Sequence, residues 1–296
     1  MFERILVPLD GSKVAEQVFP HVVELATAFG SEVTSIGVCE PEESEYGHIC
    51  HVYMNHEADQ LKSKIGAEKV KSVVLSGRPA EEILDYAAKH EPSLVIMASH
   101  GRSGIKPWSL GSTVDKVLHR IAVPLLIIRA ATEQGAESGK TGFFKRILAP
   151  LDGSEACETV LPYTMELMKK FASEVILLQV LASGKHVHTI GGIDYVYFKD
   201  HDVQSMKAKV GEYLDKVGAK LESTKAIKRS EIRVGDTAQE IVKCAQEKDV
   251  QVIILSTHGH SGIERWAYGS VTYKILQTSN KSMLLIPLVR AQTKAL

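Results

Sequence analysis

Glycine, serine and histidine residues with the spacing of an anion-binding loop occur twice in this sequence. Residues 100–112 read HGRSGIKPWSLGS and residues 258–270 read HGHSGIERWAYGS, so eight of the thirteen positions are identical. Each copy follows an apolar run and precedes a stretch with helical apolar spacing, which predicts a strand, a loop and a helix. Such a loop brings backbone N–H groups to a helix N-terminus, where they can hold phosphate. The pattern predicts a small ligand that carries phosphate.

Two interpretations of these glycines stay open. Gly101 and Gly111 would leave room for a phosphate, or they would only supply the positive φ and close packing of a strand-to-helix turn. The same alternatives apply to Gly259 and Gly269.

The hydroxyl and imidazole groups of the loop also have two interpretations. Ser112 and Ser270 are expected to be helix N-caps, and their hydroxyls would also reach a phosphate. His100 and His258 suggest general-base chemistry, but no carboxylate or nucleophile stands at a fixed spacing from them. We expect these histidines to hold the loop by hydrogen bonding.

The elements that must position these residues are repeated as well. The segment RILVPLDGS at residues 4–12 returns as RILAPLDGS at residues 146–154, an offset of 142. Gly77, Gly101 and Gly111 return at an offset of 158, and the difference of 158 − 142 = 16 predicts an insertion between the second and third strands. A period of this length indicates two whole domains rather than a solenoid.

Each repeat alternates apolar strands with helices, which predicts an α/β fold with two doubly wound parallel-sheet domains in tandem. Ligands of such sheets lie at the carboxyl ends of the strands. Long polar helices are expected at about 55–68 and about 201–221. The apolar fifth strands, at residues 123–128 and 283–286, would be sheet edges, so we expect them to pair antiparallel across a pseudo-twofold axis.

Composition limits the classes of function. The predicted domains are residues 1–130 and 145–290, joined by a linker at 131–144 and followed by a tail at 291–296. A net charge of −1 gives no electrostatic basis for binding nucleic acid or an anionic membrane. No apolar run reaches the roughly 18 to 20 residues of a membrane span, and the first residues do not read as a signal peptide. We expect a cytoplasmic protein.

Four cysteines without a C-x-x-C pair predict free thiols rather than a disulfide framework or a zinc ribbon. Histidine is dense after the second strand of each repeat, and such donors can bind zinc or copper. The spacings match no closed metal motif, so a solvated loop or a lid is the default interpretation. The residues concerned are His48, Cys50, His51 and His56 in the first repeat, and His186, His188, Asp194 and His201 in the second.

With these motifs the chain resembles a tandem universal stress protein. The resemblance rests on the PLDGS end of the first strand, the GRPAEEI stretch at residues 77–83, and the family's ATP-binding pattern G-x2-G-x9-G-[ST]. The second and third glycines of the pattern match at Gly101 and Gly111, and again in the second repeat. The first glycine of the pattern falls on Ala98 and on Ser256. This departure puts a side chain where the family lets the backbone approach the nucleotide.

The resemblance implies a Rossmann-like fold of the adenine-nucleotide alpha-hydrolase type, with ATP or a related adenine nucleotide in one or both repeats. Asp10 and Asp152 would bind the ribose hydroxyls or the adenine edge, or would only form Asx turns. Apolar residues at the strand ends would contact adenine, or would only belong to the core. The implied binding residues of the first repeat are Pro8, Leu9, Asp10, Val38, Met97, Ala98, His100, Gly101, Arg102, Gly104, Gly111, Ser112 and Thr113. Those of the second repeat are Pro150, Leu151, Asp152, Val180, Leu255, Ser256, His258, Gly259, Gly262, Gly269, Ser270 and Val271.

The expected function is that of a stress-response regulatory protein, in which the nucleotide, with or without magnesium, acts as a conformational or partner switch without rapid catalysis. Its expected partners are an unidentified protein and a second copy of the chain. The alternative is an interaction module of the same fold that binds no nucleotide and acts through protein partners. Motifs of nucleotidyltransferases and ATP pyrophosphatases, such as H-x-G-H and S-G-G-x-D-S, are absent from the sequence. Slow ATP hydrolysis stays compatible with the sequence.

Overall fold

The structure is a computed structural model, and it describes most of the chain. The described residues are 1–39, 45–101, 110–129, 142–182, 184–189, 192–197, 200–221, 228–257 and 269–288. Residues 131–141 of the predicted linker, the predicted tail and most of the two glycine-rich loops lie outside them. Within the described part, no helix is both long enough and apolar enough to cross a membrane.

The first repeat alternates strands and helices as expected. Its elements in chain order are β1 (Arg4–Leu9), α1 (Lys13–Glu16), α2 (Phe19–Phe29), β2 (Glu32–Cys39), α3 (Glu45–Ile65), a short 3-10 helix (Ala67–Lys69), β3 (Val70–Ser76), α4 (Pro79–His90), β4 (Leu94–Ala98), α5 (Ser112–Leu118) and β5 (Leu125–Ile128).

The second repeat follows the same order with one addition, the hairpin β8–β9. Its elements are β6 (Arg146–Pro150), α6 (Glu155–Glu158), α7 (Leu161–Phe171), β7 (Glu174–Leu181), β8 (Gly184–Thr189), β9 (Gly192–Tyr197), α8 (Asp200–Lys220), β10 (Lys228–Val234), α9 (Thr237–Glu247), β11 (Val252–Ser256), α10 (Ser270–Thr278) and β12 (Ser282–Ile286).

Two segments differ from the expectation. Helix α3 begins at Glu45 rather than near residue 55, because Met54, Ala58 and Leu61 continue a buried stripe that starts with the half-buried Cys50. The predicted insertion lies where it was expected, after β7, but it forms an antiparallel hairpin, in which β8 and β9 pair with each other. Hairpin pairing supplies the backbone hydrogen bonds of a segment that joins no other strand in the described part.

One ten-stranded sheet runs through both repeats. Its order is β10-β7-β6-β11-β12-β5-β4-β1-β2-β3. Within this sheet the strands of each repeat pair parallel, whereas β12 pairs with β5 antiparallel, with Met283 opposite Ile127 and Leu285 opposite Leu125. The expected pairing of the fifth strands is therefore confirmed, and it joins the two repeats into a single sheet.

The sheet is buried on both faces, which explains why its central strands are apolar without alternation. All residues of β4, β5, β11 and β12 are buried. One face is packed by α2, α3, α7 and α8, and the other by α4, α5, α9 and α10. In each repeat the carboxyl ends of the parallel strands meet at one edge of the sheet, where the glycine-rich loop begins after β4 or β11. Because β5 and β12 pair antiparallel, the two repeats present these strand ends at opposite edges.

Aromatic side chains connect the repeats on the face that carries α2 and α7. The Phe2 and Phe29 rings lie 4.9 Å apart, and their counterparts Phe144 and Phe171 lie 4.9 Å apart as well. Phe29 and Phe171 then meet each other at 6.0 Å. Phe144 stands at the end of the predicted linker, and it is fully buried in this cluster.

Candidate functional site

Each repeat has a cavity at the carboxyl ends of its strands. The cavity of the first repeat measures about 310 Å³ and that of the second about 340 Å³. Both volumes fall at the lower end of the roughly 300–1,000 Å³ that small-molecule sites occupy. The cavities lie where the topology of a doubly wound sheet places ligands.

The predicted residues that the structure describes all line these cavities. In the first repeat they are Pro8, Leu9, Asp10, Val38, Met97, Ala98, His100, Gly101, Gly111, Ser112 and Thr113. In the second repeat they are Pro150, Leu151, Asp152, Val180, Leu255, Ser256, Gly269, Ser270 and Val271. Arg102, Gly104, His258, Gly259 and Gly262 lie outside the described residues.

Further lining residues were not predicted from the sequence. The first repeat adds Ala15, Ile36, Pro79, Ile83 and Val114, and the second adds Cys157, Leu178, Thr237, Ile241 and Thr272. Strand alternation would have identified Ile36, which lies two residues before Val38 on the same face. The residues of α4 and α9 could not be found in this way, because their position depends on how each helix packs over the sheet.

The aspartate that follows the first strand is held in the same manner in both repeats. Asp10 Oδ1 accepts hydrogen bonds from the Ser12 N–H at 3.0 Å and from the Ser12 hydroxyl at 2.6 Å. Asp152 Oδ1 accepts the equivalent bonds from Ser154 at 2.9 and 2.6 Å. The Asx-turn interpretation therefore holds for one carboxylate oxygen. This bonding orients the carboxylate toward the cavity that it lines.

The serine of each Asp-Gly-Ser turn also caps a short helix. Ser12 Oγ accepts the Ala15 N–H at 3.1 Å, and Ser154 Oγ accepts the Cys157 N–H at 3.2 Å. Each Asp-Gly-Ser turn therefore has two effects. It supplies an acceptor for a backbone N–H at the start of the helix, and it fixes part of the cavity wall.

Gly101 is required by packing. A Cβ atom at this position would overlap the Asp10 Oδ2 atom, so the Gly101 backbone lies directly against the carboxylate. For Gly101, close packing is therefore a reason for glycine that does not depend on a ligand.

Gly111 and Gly269 differ from Gly101 in this respect. Their φ values are both −62°, with ψ of 147° and 151°, a conformation that any residue adopts. A Cβ atom at Gly111 would have its nearest neighbours at 3.5 Å, and one at Gly269 at 3.8 Å. Among the described residues, neither a positive φ nor a close contact explains these glycines, because a Cβ at either position would make only ordinary van der Waals contacts. Both glycines line the cavity of their repeat.

The expectation that Ser112 and Ser270 are N-caps is wrong. Gly111 and Gly269 occupy the cap positions, because Ser112 and Ser270 are each already the first residue of their helix. The backbone N–H of Gly111 donates to Ser99 O at 2.8 Å, and that of Gly269 to Thr257 O at 2.8 Å. These bonds tie the end of each loop back to the strand from which it starts.

His100 is nearly enclosed, with 6% of its surface exposed. Its Nδ1 atom is within hydrogen-bond distance of Ser99 Oγ, at 3.0 Å. This contact agrees with a histidine that holds the start of the loop in place.

The floors of the two cavities differ in polarity. Ala15, Ala98 and Val114 in the first repeat correspond to Cys157, Ser256 and Thr272 in the second. The Thr272 hydroxyl donates to Ser256 O at 3.2 Å, and the Cys157 thiol donates to Pro150 O at 3.5 Å. Burial, followed by the Asp152 carboxylate, raises the pKa of Cys157 to about 11, so this group is a neutral thiol near pH 7.

The possible metal cluster of the first repeat does not form in the described residues. His48, Cys50, His51 and His56 all lie on α3, but Cys50 is joined to Cys39 by a disulfide, which also corrects the expectation of four free thiols. The described residues contain no group of three or more His, Cys, Asp or Glu side chains that could hold a metal ion. The side chains of His186, His188, Asp194 and His201 lie outside the described ones.

Comparison with known proteins agrees with the geometry. The sequence profile of the universal stress protein family matches residues 1–129 and again residues 143–287. Over nearly its whole length the chain is similar to universal stress protein Slr1230 of Synechocystis sp., with 22% identity over 95% of this chain and 99% of that one. The match to universal stress protein MJ0531 of Methanocaldococcus jannaschii is 28% identical and covers 44% of this chain and 83% of that protein.

Solved structures support the same fold. A universal stress protein from Archaeoglobus fulgidus superposes with a TM-score of 0.67 over 97% of this chain and 99% of that chain, at 20% identity. The family profile, which matches twice and covers most of the sequence, shows that this chain belongs to the universal stress protein family and carries two copies of its domain.

Proposed function

We propose that each repeat binds ATP or a related adenine nucleotide, and that occupancy acts as a switch for conformation or partner choice in a stress response. The observation that carries this proposal is the pair Gly111 and Gly269: among the described residues, neither a positive φ nor a close contact explains why these positions hold glycine. A residue without a Cβ is needed at such a position when a ligand approaches the backbone closely. Both glycines line the cavity of their repeat at the equivalent place.

The other cavity residues suit the parts of a nucleotide. Val38 and Met97 in the first repeat, and Val180 and Leu255 in the second, supply apolar walls for a planar base. Asp10 and Asp152, each oriented by its serine, supply carboxylate acceptors for ribose hydroxyls. Phosphates would then extend toward Gly111 or Gly269, which line the cavities. Magnesium would accompany them through the phosphate oxygens.

The proposal assigns no rapid catalysis to the site. Phosphoryl transfer requires an in-line nucleophile and a group that orients or deprotonates it. Among the described residues His100 is buried and contacts Ser99, and Asp10 is held by Ser12, so neither is offered as a base. A nucleotide that is held without turnover shifts a conformational equilibrium only by its difference in affinity for the two states.

Titration calorimetry with ATP and ADP tests the proposal, together with analysis of nucleotide released from the purified protein on denaturation. Gly111→Val and Gly269→Val should each remove one binding site, because each glycine lines its cavity and the added side chain would block the approach of the ligand to the backbone. Gly211→Val is the matched control, since a Cβ there meets no atom within 4 Å and Gly211 lies on α8, away from both cavities.

Wild-type protein that retains no nucleotide, and shows no heat of binding with either nucleotide, would contradict the proposal. The alternative function, an interaction module that acts through protein partners, would then replace it. Ala98 and Ser256 line the cavities at the positions where the family pattern has its first glycine. Their side chains would then account for the loss of nucleotide binding.

A further inference from the structure

A disulfide joins two elements of the first repeat beside its cavity. Cys39 is the last residue of β2, and Cys50 lies on α3. Their Cα atoms are 6.4 Å apart and their sequence separation is 11 residues. Neither residue is fully buried, so a small oxidant or reductant in solvent can reach the pair.

The bond is close to the residues that form the cavity. Val38, the neighbour of Cys39, lines the cavity, and Cys39 pairs with Ser76 at the end of β3. The chain then passes through Gly77 to Pro79, which also lines the cavity. The bond therefore holds α3 to the two strand ends that carry one side of the cavity wall.

Local packing supports this pairing. A Cβ at Gly37 would meet the Met54 side chain at 2.8 Å and Cys50 Sγ at 3.6 Å, so glycine at this position lets α3 approach β2 closely. In the second repeat the corresponding residue is Gln179, and Leu181 and Val210 take the places of Cys39 and Cys50. The thiol pair is thus confined to the first repeat.

The two remaining cysteines are less suited to oxidation. Burial raises the pKa of Cys157 and of Cys244 to about 11 in each case, and Cys244 has no exposed surface. Thiolate is the reactive form of cysteine, so both react slowly near pH 7. Oxidant should accordingly select Cys39 and Cys50.

We propose that Cys39 and Cys50 are a reversible redox-modification site. Their oxidation state determines how well ordered the wall of the first cavity is, and it does not affect the wall of the second cavity.

With a peroxide as oxidant, one thiolate attacks the peroxide oxygen and releases hydroxide, which leaves a sulfenic acid. The second thiolate attacks that sulfur and expels a second hydroxide, which yields the disulfide. Two electrons pass to the peroxide, and the protons of the two thiols convert the two hydroxides to water. A dithiol reductant returns the electrons and protons by thiol-disulfide exchange.

The first measurement concerns the bond itself and needs no nucleotide. Reduced protein is treated with hydrogen peroxide, its thiols are counted with a chromogenic disulfide reagent under denaturing conditions, and peptides are mapped by mass spectrometry without reduction. We expect two of the four thiols to disappear, a linked peptide pair that contains Cys39 and Cys50, and full recovery with dithiothreitol. Cys244→Ser should leave this reaction unchanged, and Cys39→Ser should abolish the link. A map without that peptide pair would overturn the proposal.

The second measurement concerns the cavity. Hydrogen exchange is compared between oxidised and reduced protein for peptides from β2 and α4, with peptides from β7 and α9 as the equivalent region of the second repeat. We expect oxidation to slow exchange in the first pair about fivefold or more and to leave the second pair unchanged, a coupling of ordinary size. Equal exchange in both oxidation states would overturn the coupling.

The consequence for ligand binding rests on the proposed function. In a Gly269→Val background, ATP should bind the oxidised first site more tightly than the reduced one, because the crosslink orders the wall in advance. Absence of ATP binding in both states would contradict the proposed function, while the peptide map and the exchange data would still decide the redox proposal. Equal affinity in both states would contradict the coupling alone.

Discussion

A Cβ atom added at Gly101 would overlap the Asp10 Oδ2 atom, so the Gly101 backbone lies directly against the carboxylate that follows β1. Gly101 and the end of β1 are therefore closely packed. This contact separates the role of Gly101 from the role of Gly111, and the two can be tested independently.

We expect Gly101→Ala to destabilise the protein even without ligand. The added methyl must displace either Asp10 or the loop, and overpacking of this kind costs about 1–3 kcal/mol. Thermal unfolding of ligand-free protein measures the effect. The cost should shrink in the double variant with Asp10→Ala, which removes the clashing carboxylate, and equal costs in both backgrounds would show that the contact is not its source.

Gly111→Ala should behave in the opposite way. Its backbone conformation suits alanine and its Cβ has room, so the stability of ligand-free protein should change by no more than about 0.5 kcal/mol. Stabilisation by added ATP, measured as a shift of the unfolding temperature, should decrease. Gly269→Ala should repeat this result in the second site. A large loss of ligand-free stability would show that the glycine is needed by the fold after all.

Steady-state ATP hydrolysis should be far below the roughly 1 to 10³ s⁻¹ of typical enzymes. The site has backbone donors and fixed carboxylates, but the buried His100 already contacts Ser99. Phosphate release by purified protein at saturating ATP and magnesium checks this. A turnover inside that range that His100→Ala abolishes, while ATP binding stays intact, would make the protein an enzyme.

Stability should fall in mild acid because of His21. Its ring lies 3.9 Å from the Phe143 ring, its Nδ1 atom has no hydrogen-bond partner among the described residues, and burial lowers its pKa to about 4. The unfolded chain, with a histidine pKa of about 6.5, binds the proton more readily. Stability is therefore constant above about pH 6.5 and decreases toward pH 4, by at most about 3 kcal/mol.

The variant that tests this is His21→Tyr, since Tyr163 occupies the corresponding position of the second repeat. Unfolding temperatures measured between pH 7 and pH 4.5 should fall less steeply in this variant than in wild type. His48→Tyr, at an exposed histidine on α3, is the control and should keep the wild-type slope. Identical slopes for all three proteins would show that His21 does not contribute.

Much of the architecture could be predicted from the sequence because the relevant signals are local and occur twice. The two offsets located the repeats and the insertion, and the apolar strands between helices indicated parallel sheets buried on both faces. The apolar fifth strands predicted that these sheet edges would be covered by pairing with each other, and β5 and β12 do pair antiparallel. The location of the site could be predicted from the topology. The ends of the parallel strands meet at one edge of the sheet, so this fold brings Asp10, Val38 and Gly101 together.

The tertiary structure alone decided what depends on distances between separate elements. No local pattern marks Cys39 and Cys50 as partners, since their bond depends on how closely α3 packs over Gly37. The sequence also could not distinguish Gly101, where a Cβ would overlap a carboxylate, from Gly111, where a Cβ would make only ordinary contacts with the described residues. Both are glycines at fixed spacing in one loop. Whether glycine is needed for packing or lets a ligand approach depends on the atoms around each Cα, which belong to residues distant in the sequence.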